Sequence, residues 1–299
     1  MHAPKAPQEL GRLLGHADAV TCETTTEVTA AVIDRMANCK IIVTLSAGYD
    51  HIDLGAASRK QIYVCCVPNY CVEEVADHTL GLILGVTRKI YQLNKNLDPR
   101  RWEDYQTVGP VHRLRGRTLG LIGVGKIGRA VAERAKAFGL QVIAFDPYLP
   151  PDSLSGIRLV PLHGLLREAD IVSIHSALTH ETKGMLSTRE FQEMKDGVFI
   201  VNCARGAIID TKALVQAIRG GKVAGVGLDV FEKEPPDPDE PLLHMNEVLV
   251  TPHTAYLSVE AELDRQKIPI EEIARAWNGE KPRGVVNLNM LTKAAQTRE

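Results

Sequence analysis

Residues 117–129, Arg-Thr-Leu-Gly-Leu-Ile-Gly-Val-Gly-Lys-Ile-Gly-Arg, set glycines at 123, 125 and 128 between an apolar β-branched run and a helical stripe. Each glycine answers a steric demand of a strand–turn–helix unit. Gly123 permits the tight turn, Gly125 lets backbone approach a pyrophosphate, and Gly128 lets the helix lie close on its strand. The helix itself is legible from Ile127, Ala130, Val131, Ala135 and Phe138 on one face, with Glu133 and Lys136 pointing elsewhere. Its free N–H groups and dipole would meet the phosphates.

The rest of the chain repeats that alternation. Short β-branched runs at 19–22, 40–45, 62–66, 118–122, 141–145, 170–174, 197–201, 223–228 and 247–250 read as strands, with helical segments between most of them. This predicts an α/β fold built on a Rossmann-type doubly wound parallel sheet. One helix begins after Asp210, with Ala213, Leu214, Ala217 and Ile218 as its stripe, and stops at Gly220-Gly221. Helices are also expected over Pro7–Gly15, over Val72–Tyr91, and up to Trp277 with a stop at Gly279. Four prolines make Glu232–Pro241 a loop.

The strand at 141–145 ends at Asp146, 23 residues after Gly123, near the offset of about 20 expected of a ribose-binding acid. A carboxylate there accepts ribose hydroxyls and repels a 2′-phosphate, and the following Pro-Tyr-Leu-Pro-Pro holds no arginine. NAD is therefore expected over NADP. Two look-alikes fail. Gly120–Lys126 begins like a triphosphate-binding loop, but Ile127 has no hydroxyl for magnesium. Tyr91 and Lys95 imitate a Tyr-x-x-x-Lys pair, yet precede the glycine turn and read as helix neighbours.

About 115 residues precede the glycine turn. The simplest arrangement inserts a dinucleotide domain, 72–256, into a smaller discontinuous one formed by 1–71 and 257–299, with crossings near 72–88 and 253–261. A net charge of −2 and a pI near 6.6 offer no footprint for nucleic acid or an anionic membrane. Apolar runs such as Leu80–Val86 fall far short of the roughly 20 residues that span a bilayer. The opening MHAPKAPQ lacks the layout of a signal peptide. Six cysteines without a CxxC pair fit a reduced, cytoplasmic protein, and no metal site is expected.

Three polar residues stand past expected strands: Arg205 in VNCARG, Glu234 in FEKEPP and His253 in TPHTAY. Reduction of a 2-keto acid needs a planar cation for the carboxylate, a proton for the ketone oxygen, and a partner that keeps the acid charged. Arg205 suits the first task. His253 suits the second, since imidazole titrates near neutrality, and Glu234 suits the third. Each has a plainer alternative: a helix-capping arginine, a solvated loop glutamate, a core histidine bonded to backbone.

These segments resemble the D-isomer-specific 2-hydroxyacid dehydrogenases over nearly the whole chain. They are SAGYDHID (46–53), VPNYCVEEVADHTL (67–80), LGLIGVGKIGRAVAERAKAFG (119–139), FDPY (145–148), IVSIHSAL (171–178), VNCARGAIID (201–210), GVGLDVFEKEPP (225–236) and TPH (251–253). The spacings, 29 residues from Arg205 to Glu234 and 19 more to His253, look like the family's. The resemblance implies a flavodoxin-like smaller domain and an NAD-dependent oxidoreductase giving a D-2-hydroxy acid. In it Arg205 binds substrate, Glu234 supports the histidine and His253 is the acid/base. Gly123, Gly125, Lys126, Ile127 and Gly128 would hold the pyrophosphate and Asp146 the ribose. His175, Cys203, Ala204, Arg205, Asp229 and His253 would line the rest of the cofactor. Ser46, Ala47 and Gly48 would form a backbone nest for the substrate carboxylate, and a homodimer through the cofactor domain is implied.

Two departures bear on function. After TPH the family often continues Ile-Gly-Gly, whereas here Thr254-Ala255-Tyr256 follows. Tyr256, with FDPYLP, looks more like the C-terminal binding protein subgroup, whose animal members are NAD-sensing corepressors, and would narrow a substrate pocket that Thr44, Tyr70 and Leu257 also neighbour. The alternative reading is accordingly an NAD-sensing dimeric binding module. The other departure is a start that lacks the family's first strand, helix and strand, so the smaller domain is expected to be shortened, or the chain an inactive truncated homologue.

Overall fold

The β-branched runs pair in parallel into two sheets of a computed structural model that describes residues 7–150 and 153–296. The signal-peptide reading rests mainly on residues 1–6, which lie outside that range, as does Pro151 of the segment after Asp146. The chain divides into two units, Met1–Cys71 with Ser258–Glu299, and Val72–Leu257.

In the smaller unit β1 (Ala19–Cys22), β2 (Ile41–Thr44) and β3 (Tyr63–Cys65) lie side by side in that order. Val20, Cys22, Ile42 and Val64 face one apolar cluster with Val32, Ile33 and Met36. Ile41, Val43 and Cys65 face the other side, against Ile273 and Ala276 of the helix Val259–Trp277. Ser258 caps that helix by accepting from the Ala261 amide at 2.9 Å. The returning segment is pinned by buried Asn287, whose Oδ1 accepts from Val64 N while Nδ2 donates to Ile62 O and Ser58 Oγ. Every polar atom of that amide is thus satisfied, as burial requires.

The larger unit carries β4 (Thr118–Ile122), β5 (Gln141–Phe145), β6 (Arg158–Leu159), β7 (Ile171–Ile174), β8 (Val198–Asn202), β9 (Val223–Leu228) and β10 (Val248–Val250). Their order is β10-β9-β8-β7-β4-β5-β6, all parallel. Both faces are covered, which is why these strands read as unbroken apolar runs. Ile122, Val172, Ile174, Ile200 and Val226 pack with Leu165, Phe191, Leu214 and Ile218. Leu119, Leu121, Ile171, Phe199 and Val201 pack on the other face with Leu82, Ile83, Val86, Val131 and Ala135. Each such fully buried Leu or Ile contributes about 1.5–3 kcal/mol.

Two elements differ from the sequence reading. The strand β6 was not anticipated, because two residues carry no periodicity. The helix expected over Val72–Tyr91 ends at Thr87; Lys89 adopts a left-handed φ of 55° and a second helix, Ile90–Lys95, follows. The apolar spacing of Ile83, Val86 and Ile90 continues across that break in sequence although Ile90 is exposed, so composition alone could not mark it. Chain order runs outward from β4 to β6 on one side and from β7 to β10 on the other, so the topological switch lies between β4 and β7. In open parallel sheets ligands sit outside the carboxyl ends of the strands at such a point.

Candidate active site

Five of the expected polar residues follow the carboxyl end of a strand in the larger unit: Asp146 after β5, His175 after β7, Arg205 after β8, Asp229 after β9 and His253 after β10. The glycine turn follows β4 and leads into the helix Lys126–Ala137. Gly123 has φ +89°, and a Cβ there would stand 2.8 Å from the His175 carbonyl carbon and the Ser176 amide nitrogen. The turn is therefore pressed against the end of β7. A Cβ on Gly128 would stand 2.5 Å from the Gly123 carbonyl oxygen, which sets the helix hard against the turn. At Gly125 no described atom beyond its chain neighbours lies within 4 Å of the added carbon, so the middle of the turn is open to a ligand.

The open turn borders a cavity of about 360 Å³ lined by Gly123, Gly125, Asp146, Tyr148, Ser176 and Glu181 among others. The Ser176 hydroxyl is buried without a hydrogen-bond partner among the described residues, a state that buried hydroxyls seldom keep without a ligand or water. These residues fit a dinucleotide: a bare backbone cradle at a helix N-terminus and an unsatisfied hydroxyl in the adjoining cavity. Asp146 is already fixed, Oδ2 accepting from Val124 N at 3.0 Å and Oδ1 from Tyr148 N at 3.1 Å. Burial pushes the His175 imidazole down to about 4, so it is neutral at pH 7 and exchanges a hydrogen bond with Ser173 Oγ at 2.9 Å.

Arg205, Glu234 and His253, far apart in sequence, meet through one close packing and one hydrogen bond. Gly206 sits so tightly on the loop after β9 that a Cβ would lie 1.9 Å from the Phe231 carbonyl carbon. Only glycine admits that approach, and it brings Arg205 beside the 231–234 turn. Asn202 braces the same loop, its Nδ2 donating to Arg205 O and its Oδ1 accepting from Ala204 N, both at 2.9 Å. Glu234 Oε1 accepts from Phe231 N at 2.9 Å, and Oε2 faces His253 Nδ1 at 2.5 Å. Burial alone would raise the Glu234 carboxyl, but the hydrogen bonds from His253 and Phe231 and the Arg205 charge hold it below its ordinary value. The carboxylate directs His253 to present Nδ1–H inward, which leaves Nε2 for chemistry.

The structure adds residues to which the sequence reading gave no role or a different one. His253 takes a left-handed φ of 53°, a conformation that costs of order 1 kcal/mol outside glycine. It is held there by its amide, which donates to Asp229 O at 2.8 Å. The Asp229 carboxylate is 1% exposed and accepts from Thr251 Oγ1 at 2.6 Å, Thr254 N at 2.9 Å and Ala255 N at 3.0 Å. Asp229 thus shapes the histidine loop, a duty distinct from the nicotinamide contact expected of it. His78, from the helix Val72–Thr87, reaches Thr251 Oγ1 at 2.9 Å. It lies 173 residues from Thr251, and only its place inside the VADHTL segment could have drawn notice.

The remaining expected residues are placed as follows. Cys203 follows β8 as a thiol pushed up to about 12, chiefly by burial, which rules it out as a thiolate nucleophile near neutral pH. Ala204 and Tyr256 are partly buried, in the loops that carry Arg205 and His253. In the smaller unit the Ser46 hydroxyl donates to Gly48 O at 2.6 Å and pairs with Thr44 Oγ1 at 2.9 Å, which fixes the Ser46-Ala47-Gly48 turn and leaves its backbone to act as donor. Tyr91 donates its hydroxyl to Asn246 O at 2.5 Å, and burial pushes its phenol up. That fits a structural neighbour, not a base.

A family model described as D-isomer specific 2-hydroxyacid dehydrogenase, NAD binding domain, matches residues 80–255. D-3-phosphoglycerate dehydrogenase of Archaeoglobus fulgidus is 40% identical over 283 residues, 94% of this chain and 53% of the relative, so the chain spans about half of that protein's length. Glyoxylate reductase of Thermofilum pendens is 36% identical over 295 residues, 96% of this chain and 86% of the relative. Among solved structures, a glyoxylate reductase from Paecilomyes thermophila superposes with a TM-score of 0.87 at 32% identity, covering 95% of this chain and 89% of that one. No helix among the described residues is long and apolar enough to cross a membrane.

Proposed function

Because the chain belongs to the D-isomer specific 2-hydroxyacid dehydrogenase family, we propose that it reduces a small 2-keto acid to the D-2-hydroxy acid with NADH. The observation that carries this reading is the 2.5 Å pairing of His253 Nδ1 with Glu234, beside Arg205. The backbone of 123–128 would hold the pyrophosphate and Asp146 the adenosine ribose. NADH, when bound, supplies the hydride. Arg205 binds the substrate carboxylate and polarises the ketone, because a guanidinium matches a carboxylate bidentately. His253 holds a proton at Nε2 and gives it to the ketone oxygen as charge develops there. Glu234 fixes the ring in the tautomer and orientation that this transfer needs. The relatives named glyoxylate reductase support a small substrate such as glyoxylate. A cytoplasmic location and a homodimer formed through the larger unit belong to the same proposal.

NADH absorbance followed with glyoxylate, hydroxypyruvate, pyruvate and phenylpyruvate tests it. Turnover on at least one, with D-product, is expected; none on any, by folded protein that binds NADH, would count decisively against it. His253→Asn is the sharper variant, since asparagine tolerates the left-handed backbone. It should lower kcat by about 10²-fold or more while leaving NADH affinity near that of the parent.

A further inference from the structure

We propose that Glu181, positioned by Tyr148, is a second determinant of the choice between NAD and NADP, acting with Asp146 on the same cavity. The inference rests on the NAD reading above and deepens it. Asp146 enters the cavity from the segment after β5 and Glu181 from the segment after β7, on either side of β4. Among the described residues the lining includes both carboxylates and neither a lysine nor an arginine; its histidine, His175, is neutral. A 2′-phosphate entering there meets two negative charges and no cation.

Glu181 is a surface side chain, and an untethered one would swing into solvent and be screened. Tyr148 prevents that, its hydroxyl donating to Glu181 Oε2 at 2.9 Å. Tyr148 is in turn fixed by its amide, which donates to Asp146 Oδ1. One short segment therefore orients both carboxylates: Asp146 through the backbone, Glu181 through a phenol. Tyr148 is 79% exposed, so burial does not explain where its ring lies, whereas the bond to Glu181 does.

Dissociation constants for NADH and NADPH, read by nucleotide fluorescence, decide the matter in the parent, Glu181→Gln, Tyr148→Phe and the double variant. Glu181→Gln should tighten NADPH by about five-fold, the effect of one charge at close range in a wet site, and leave NADH within about two-fold. Tyr148→Phe should move the NADPH/NADH ratio the same way by less, and add nothing to Glu181→Gln, because it acts through that carboxylate. The parent's preference should shrink as salt rises. A ratio unchanged in Glu181→Gln, or both nucleotides weakened alike, overturns the assignment. A parent that binds neither nucleotide overturns the NAD reading itself, so the two failures are distinguishable.

Discussion

Glu234 illustrates how one side chain ties stability to chemistry. Its carboxyl sits below the ordinary value of 4.5 in the folded chain. The unfolded chain therefore takes up a proton first as pH falls, so the contribution of this group is present above about pH 4.5 and lost below it. Glu234→Gln should show a melting temperature that changes less between pH 5 and 3 than the parent's, and a kcat lowered about ten-fold or more because the imidazole loses its orienting charge. His175 acts in the same direction, in a higher pH window. Its imidazole, ordinarily near 6.5, is held down to about 4. Between those values the unfolded chain binds a proton that the native chain refuses, so stability falls as pH drops through that window. Thermal melts of His175→Asn from pH 7 to 4 should be flatter than the parent's, and an identical slope would show that the ring is not buried neutral.

Among the elements, glycines mark where two backbones or a helix and a strand come closest. Gly123 must hold φ +89° and touches the end of β7. Gly123→Ala should cost about 1–3 kcal/mol in stability and weaken NADH binding, measured by melting and by fluorescence titration. Gly206→Ala should do different damage. Its Cβ cannot fit against Phe231, so the Arg205 loop must lift, and kcat/KM should fall more than stability. Gly227 in β9 would set a Cβ 2.9 Å from Leu82, which fixes how closely the helix Val72–Thr87 lies on the sheet. That closeness is what lets His78 reach Thr251 from a distant part of the chain.

For the whole molecule, cofactor binding should appear as mass action. NADH at about 100 times its Kd should add about 2.7 kcal/mol and raise the melting temperature by on the order of 5 °C, while NADPH at the same concentration should raise it less. The strands, the glycine turn and Asp146 could be read from sequence because their signals are local: a short β-branched apolar run, a glycine where a Cβ is forbidden, an acid at the end of the next strand. Arg205, Glu234 and His253 were legible as residue types in family-like segments, and the resemblance implied that they act together, but the packing that brings them together was not legible. The sequence by itself determined the parallel α/β architecture and the larger unit's cofactor-type turn, since burial on both faces forces continuous apolar runs. Tertiary structure alone decided that Gly206 lies on Phe231, that Asp229 turns its carboxylate into the 251–255 loop, and that Tyr148 tethers Glu181. Those contacts join segments whose separation leaves no periodicity, and they form only where packed strands bring their carboxyl ends to one edge.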